Sequence, residues 1–267
     1  MSLANRCGVA PTGANFVGSQ DPSPTTRTTR FSIDERLNTV LLDLSSGFGR
    51  QYWWPAAAPF EVMIGAVLTQ NTAWGNVELA LNALRQRDAL TASALLSLPE
   101  SEEDGLEAWI RPSGSFRVKA KKLRALATWF QSQGETPSAA FQQLATRSLE
   151  PLRTELLGIY GIGPETADAI LCYGVGRLSP VVDTYTRRIL SRHGLGPLLL
   201  PTGAATFPSG DAMKAPYEEL RTWLLQVLIP NQLIYEEFHA LFVAAGKDNC
   251  KVKATCDTCP ARTPLSF

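Results

Sequence analysis

Apolar residues recur three and four apart through five stretches of the chain, Ile33 to Leu44, Phe60 to Leu68, Val77 to Leu84, Leu123 to Phe130 and Leu220 to Leu228. This is the period of an amphipathic helix that turns one face to a core. No segment alternates apolar and polar residues long enough to read as a strand, and no repeat of solenoid length is present. Pro55, Pro59, Pro112, Gly114, Gly158, Gly161, Gly163, Pro180 and Pro197 punctuate the helical text. The pattern predicts an all-α fold. Residues 1–30 are rich in Gly, Pro, Ser and Thr and have no apolar period, so they read as an extended or disordered arm, with the folded body starting near Phe31.

Bulk properties narrow the partners. The 267 residues, 45% of them hydrophobic, suffice for a substantial core. Charges cancel at 25 against 25, so a nucleic-acid partner would have to be held by a local basic face rather than by the field of the whole molecule. No run approaches the length of a membrane span and the N-terminus lacks the pattern of a signal peptide, so no membrane partner and a cytoplasmic location are expected.

The richest segment runs from residue 156 to 190. Gly161 and Gly163 bracket Ile162 between helical stretches, and Pro164 sits where a first helical residue belongs. A helix-hairpin-helix turn follows. Its small residues let a phosphodiester backbone approach, and free N–H groups at Thr166 and its neighbours can bind a phosphate; a tight turn without a ligand is the alternative. Twenty residues after Gly163, Asp183 precedes the periodic segment Thr184 to Arg192 and reads as a helix N-cap. A carboxylate held there stays ionised and can face a positively charged sugar, or it can simply cap the helix.

Three of the six tryptophans, Trp53, Trp54 and Trp74, fall between residues 51 and 81. They suit stacking on an extruded base, and equally suit a core. Gln70 and Asn71 end an apolar helix in the same segment, as caps or as ligand contacts. Arg111, Arg117, Lys119, Lys121, Lys122 and Arg124 form a basic run without an acidic residue, either a solvated face or a second phosphate contact through Lys119 and Lys122. Near the C-terminus Cys250, Cys256 and Cys259 give C-x5-C-x2-C, a metal-ligand pattern open to an iron-sulfur cluster, or to zinc with His239 or another fourth ligand. Cys172 lies in an apolar helix and reads as a buried hydrophobe.

The run I-x-G-I-G-x-x-T-A followed by V-D-T resembles the endonuclease III superfamily of helix-hairpin-helix DNA glycosylases, and the wider resemblance spans Asp34 to Cys259. W-W-P followed by F-E-V-x-x-G-A-V-L-T-Q-N-T is similar to its 3-methyladenine glycosylase branch. The resemblance implies two helical lobes, a central domain at 56–176 and a second lobe made of 31–55 with 177–267. It implies a monomer, associated with the nucleoid, that flips a damaged base out of double-stranded DNA. Asp183 becomes the catalytic carboxylate, Trp53 or Trp54 with Pro55 and Trp74 the pocket that sandwiches the base, and Gln70 the wedge filling the vacated stack, with Asn71 beside it. Gly161, Gly163 and Thr166 become phosphate contacts. The three cysteines become ligands of a 4Fe-4S cluster whose fourth family cysteine is missing here, leaving Cys7, another side chain or solvent.

One departure sets the expected chemistry. Strand-cleaving members carry a Schiff-base lysine where this chain has Glu165, and a carboxylate cannot form that adduct. A monofunctional glycosylase acting on alkylated purines is therefore expected, with Glu165 either touching the base or stabilising its helix. The rivals are a bifunctional glycosylase and lyase acting on oxidised pyrimidines, and a non-catalytic iron-sulfur protein that senses lesions or redox state.

Overall fold

A computed structural model describes residues 34–99, 103–196 and 211–262. The expected arm, Cys7, Phe31, Ile33 and Pro197 lie outside the described residues. Among the described residues every regular element is helical and none is a strand, as the apolar spacing predicts.

Helix α1 (Glu35–Phe48) starts at Asp34, whose carboxylate accepts the N–H groups of Arg36 and Leu37 at 3.0 and 3.1 Å. Helix α2 (Pro59–Leu68) opens on a proline, and every residue after it is buried, which makes it the central helix. Helix α3 (Trp74–Arg85) packs back on α2. Short helices α4 (Ala92–Ser97) and α5 (Leu106–Trp109) and a 3-10 turn (Arg111–Ser113) lead into α6 (Phe116–Gln131), which packs on α2 and α4. Then come α7 (Pro137–Thr146), α8 (Leu149–Leu157) and α9 (Pro164–Ala169), the last running into a π-helical segment at Ile170–Val175 that lies along α2. Helices α10 (Thr184–Arg192), α11 (Tyr217–Val227) and α12 (Gln232–Asp248) complete the order.

Helix α12 is the longest, yet it is not among the five stretches the spacing picks out. It packs against α1, α10 and the π segment, so its apolar residues do not keep to one narrow stripe. No helix among the described residues is long and apolar enough to cross a membrane.

A buried polar network ties the second half of the chain together. Asp168 on α9 is 0% exposed and accepts hydrogen bonds from Arg153 Nε and Nη2 on α8 (2.8 and 3.1 Å), Ser179 Oγ (2.6 Å), Tyr217 Oη (2.8 Å) and Arg221 Nε (3.2 Å). Its charge is shared with two cations, which are themselves paired outward to Glu218 and Glu150. A buried ion is tolerated only when such geometry satisfies all its partners, and removal of one member leaves the others uncompensated. Asp168→Ala should therefore cost about 3–5 kcal/mol of stability in urea unfolding. A loss under 1 kcal/mol would mean the network relaxes or takes up water.

Candidate active site

The hairpin is built by its glycines. Helix α8 stops at Gly158, Ile162 turns into the core at 5% exposure, and Gly161 adopts φ +77°, a conformation that L side chains rarely take. A Cβ at Gly161 would also meet the Lys122 side chain at 2.5 Å. Gly163 precedes α9, and its position supplies no side-chain cap, so the first N–H groups of α9 have no side-chain acceptor from it.

Facing this turn is a cavity of about 830 Å³, large enough for a purine with part of its sugar. It gathers the hairpin residues Gly161, Gly163, Glu165 and Thr166 with Trp53, Trp54, Trp74, Gln70, Asn71, Lys122 and Asp183. Helices α10 and α12 supply further lining. His239, Val243 and Lys247 recur four apart on α12, and all three line the cavity.

Asp183 caps α10, with Oδ1 accepting the Thr186 N–H at 2.6 Å. It is 8% exposed, and its Oδ2 lies 3.7 Å from His239 Nε2, an ion-pair separation longer than a hydrogen bond. Burial pushes its pKa up, but the neighbouring His239 and the Thr186 N–H outweigh burial and hold it below the usual carboxylate value. His239 Nδ1 in turn sits 2.9 Å from Tyr173 Oη, which also lies 2.9 Å from the Glu236 carbonyl. Whichever way the Tyr173 proton points, a proton on Nε2 suits the carboxylate opposite. His239 is thus engaged at Asp183, and its candidacy as a zinc ligand is corrected by this placement.

The indoles touch one another. Ring centroids of Trp53 and Trp74 are 4.4 Å apart at 62°, and Trp54 lies 5.3 and 5.4 Å from Trp53 and Trp74. No gap between any two of them admits a base, so the expected sandwich is replaced by a wall on which a flat group would stack from the cavity side. Gly65 makes the wall possible, since a Cβ there would come within 2.9 Å of Trp54 Cζ2. Pro55 is exposed and is not part of the cavity lining, because the chain after Trp54 turns outward toward α2; Pro164 lines the cavity instead.

Gln70 ties α6 to the hairpin. Its Nε2 donates to Gly161 O (3.1 Å) and Thr166 Oγ1 (2.9 Å), while its Oε1 accepts from Lys122 Nζ (2.5 Å). Asn71 follows at φ +52°, which its short polar side chain tolerates. Lys119 departs from the expected phosphate contact. It is 3% exposed, and its ammonium donates to Leu68 O (2.7 Å), Ser113 O (2.7 Å) and Thr72 Oγ1 (2.6 Å), closing the loop after α2. Burial and the nearby Lys122 charge lower its pKa to about 8. Arg124 is likewise drawn inward, donating to the carbonyls of Leu96 and Leu98.

The C-terminal cysteines sit on a loop clasped by α10. Arg188 donates to the Cys250 carbonyl, and Arg192 donates to Cys250 Sγ (3.1 Å) and to the carbonyls of Lys251 and Val252. Burial raises the Cys259 thiol pKa, and the charges of Cys250 and Cys256 raise it further. Among the described residues no group of three or more ligands is arranged to hold a metal ion. The donor chemistry suits three corners of a cluster, and the fourth has no described candidate. Cys172 is fully buried, as expected.

A helical chain in which a glycine hairpin, an aromatic wall and a capped carboxylate meet at one cavity has the layout of a helix-hairpin-helix base-handling protein. Residues 64–197 match the HhH-GPD superfamily base excision DNA repair protein family, and the chain belongs to that superfamily. It is 39% identical over 235 residues, 87% of this chain and 96% of the other, to the Methanocaldococcus jannaschii protein named "Putative DNA repair glycosylase MJ1434". It is 26% identical to the endonuclease III of Rickettsia felis over 76% of this chain and 80% of that one. Among solved structures, Helicobacter pylori 3-methyladenine DNA glycosylase bound to 1,N6-ethenoadenine superposes with a TM-score of 0.54 at 28% identity, covering 80% of this chain and 96% of that one. A non-covalent endonuclease III–DNA complex shares the fold at a TM-score of 0.64 and 20% identity, covering 85% and 92%.

Two lysines three residues apart should separate cleanly. Lys119→Met, which removes a buried ammonium that bonds three oxygens, should lower stability by about 2–4 kcal/mol in thermal or urea unfolding. Lys122→Met should barely change the midpoint but reduce the salt dependence of duplex binding by about one phosphate contact. The reverse pattern would restore Lys119 to the DNA interface.

Proposed function

We propose that this chain is a monofunctional DNA glycosylase that flips an alkylated purine out of double-stranded DNA and hydrolyses its N-glycosidic bond with water. The observation that carries this reading is the cavity in which ionised Asp183 stands with Glu165, a carboxyl where the strand-cleaving relatives of the resemblance use an amine. In the transition state the sugar gains positive charge at C1′, and a preformed carboxylate in a partly dry cleft stabilises that charge more than it stabilises the ground state. The indole wall offers an electron-rich face to a cationic base, worth about 1–2 kcal/mol when desolvated. Likeness to a 3-methyladenine glycosylase that holds an ethenoadenine supports a purine in this pocket. Gly161, Gly163 and Thr166 would receive the phosphates flanking the lesion, with Gln70 and Asn71 at the vacated stack.

One observation favours a second reading. Lys247 lines the cavity with its ammonium 5.9 Å from the centre of the Trp53 ring, so the site does hold an amine, and endonuclease III relatives are present. Borohydride trapping decides it: a covalent adduct lost in Lys247→Met would establish lyase chemistry.

Cys250, Cys256 and Cys259 would hold a 4Fe-4S cluster on the loop clasped by Arg188 and Arg192, where such a cluster fixes the loop and takes no part in base release. The purified protein should then be brown and contain iron rather than zinc; a colourless, zinc-loaded protein would overturn this part.

Asp183→Asn should abolish excision from duplexes carrying 3-methyladenine while lesion binding stays within about tenfold. Retained activity in the variant, or a wild type that ignores purines and releases thymine glycol or uracil, would overturn the proposal.

A further inference from the structure

Glu165 is not used by the hairpin it belongs to. It stands in the first turn of α9, it faces the cavity rather than the core, and among the described residues it accepts no hydrogen bond and makes no ion pair. An aromatic wall, an ionised carboxylate and a second carboxyl free to act share one cleft. We propose that Glu165 is the general acid of the site, passing its carboxyl proton to a ring nitrogen of the departing purine, so that the pocket releases neutral purine adducts as well as cationic ones. This rests on the reading of the site as a purine-releasing one.

The steps balance with water as the only co-reactant. The C1′–N9 electron pair leaves with the base while the Glu165 proton moves to a base nitrogen, so the base departs uncharged and Glu165 becomes a carboxylate. The cationic sugar is held by Asp183. Water then bonds to C1′ and gives its proton to the Glu165 carboxylate, which restores the acid. A purine already carrying a positive charge needs no such proton, because it leaves as a neutral molecule when the bond breaks.

The surroundings of Glu165 favour its protonated form. Desolvation by the residues that crowd the cleft raises its pKa first and the Asp183 charge raises it further, while His239 on α12 and Arg187 on α10 pull the other way. Across the cavity stand Lys122 of α6, Arg188 of α10 and Lys247 of α12, and the α9 N-terminus also favours the anion. The net shift is nonetheless upward. The Glu165 side chain is exposed at the cavity, and a base seated on the indoles would cover it, which strengthens the first of these effects. Two carboxyls whose pKa values are pushed apart divide the roles of anion and acid between them, and here Asp183 is the anion.

The test compares two duplexes, one carrying 1,N6-ethenoadenine, a neutral base, and one carrying 7-methylguanine, a cationic base, in single-turnover assays across pH. Glu165→Gln keeps the shape and the hydrogen-bonding reach of the side chain but carries no acidic proton. Its rate should fall about 100-fold more on ethenoadenine than on 7-methylguanine. In the wild type the ethenoadenine rate should decline as pH rises through the Glu165 pKa, with no matching decline on 7-methylguanine, and Glu165→Asp should retain the pH-dependent limb. Equal losses on both duplexes, a flat wild-type profile on ethenoadenine, or a wild type that releases only 7-methylguanine would overturn the acid role and leave purine release intact. Release of neither purine would overturn both.

Discussion

The charge of Asp168, sealed from water, organises the site without touching it. Arg153 reaches it from α8, Arg221 and Tyr217 from α11, and Ser179 from the segment that leads to Asp183. Tyr217 carries the constraint one step further, since its hydroxyl donates to Asp168 and accepts the Val182 N–H at 3.4 Å, next door to Asp183. The helix that presents Glu165 and the segment that presents Asp183 are therefore located by the same anion. Few arrangements satisfy so many donors at once, which is how a buried charge exchanges stability for a defined geometry.

Around that frame the cavity sorts its electrostatics locally. The chain as a whole is neutral, yet the cleft sets the carboxyls of Asp183 and Glu165 beside Arg188, Lys122 and Lys247. Asp183 and His239 lie buried in it, while Glu165 and Lys247 are exposed at its mouth. The aromatic wall works by mutual support, three indoles in contact with one another and braced by Tyr173 at 5.7 Å from Trp54. A rigid wall spends no side-chain entropy when a base stacks on it.

Lys119 shows how a charge can be structural. Its ammonium joins the end of α2 to the turn before α6, so the loop that carries Gln70 and Asn71 is fixed from behind. Gln70 then locks that loop to Gly161 and Thr166 on the hairpin. The loop after α2, the turn before α6 and the hairpin thereby form one assembly.

The all-helical class, the hairpin and the cap at Asp183 were legible in the chain because each rests on local rules: a 3.6-residue period, a glycine that takes positive φ, a proline at a first helical position, a short carboxylate before a helix. The clustering of Trp53, Trp54 and Trp74 was also visible, since they are close in sequence. What only the tertiary structure decided are matters of direction and of distant neighbours. Whether Lys119 or Lys122 points outward depends on which carbonyls fold against α6, and nothing in a run of basic residues encodes that. Pro55 turns away from the cavity although it adjoins Trp54. His239 lies 56 positions after Asp183 in the chain, 3.7 Å from it in space. The four-residue spacing of His239, Val243 and Lys247 marked one helical face, but what that face meets is set when α12 packs on α10 and the π segment. Sequence period records which side of a helix is dry; only packing determines what stands opposite.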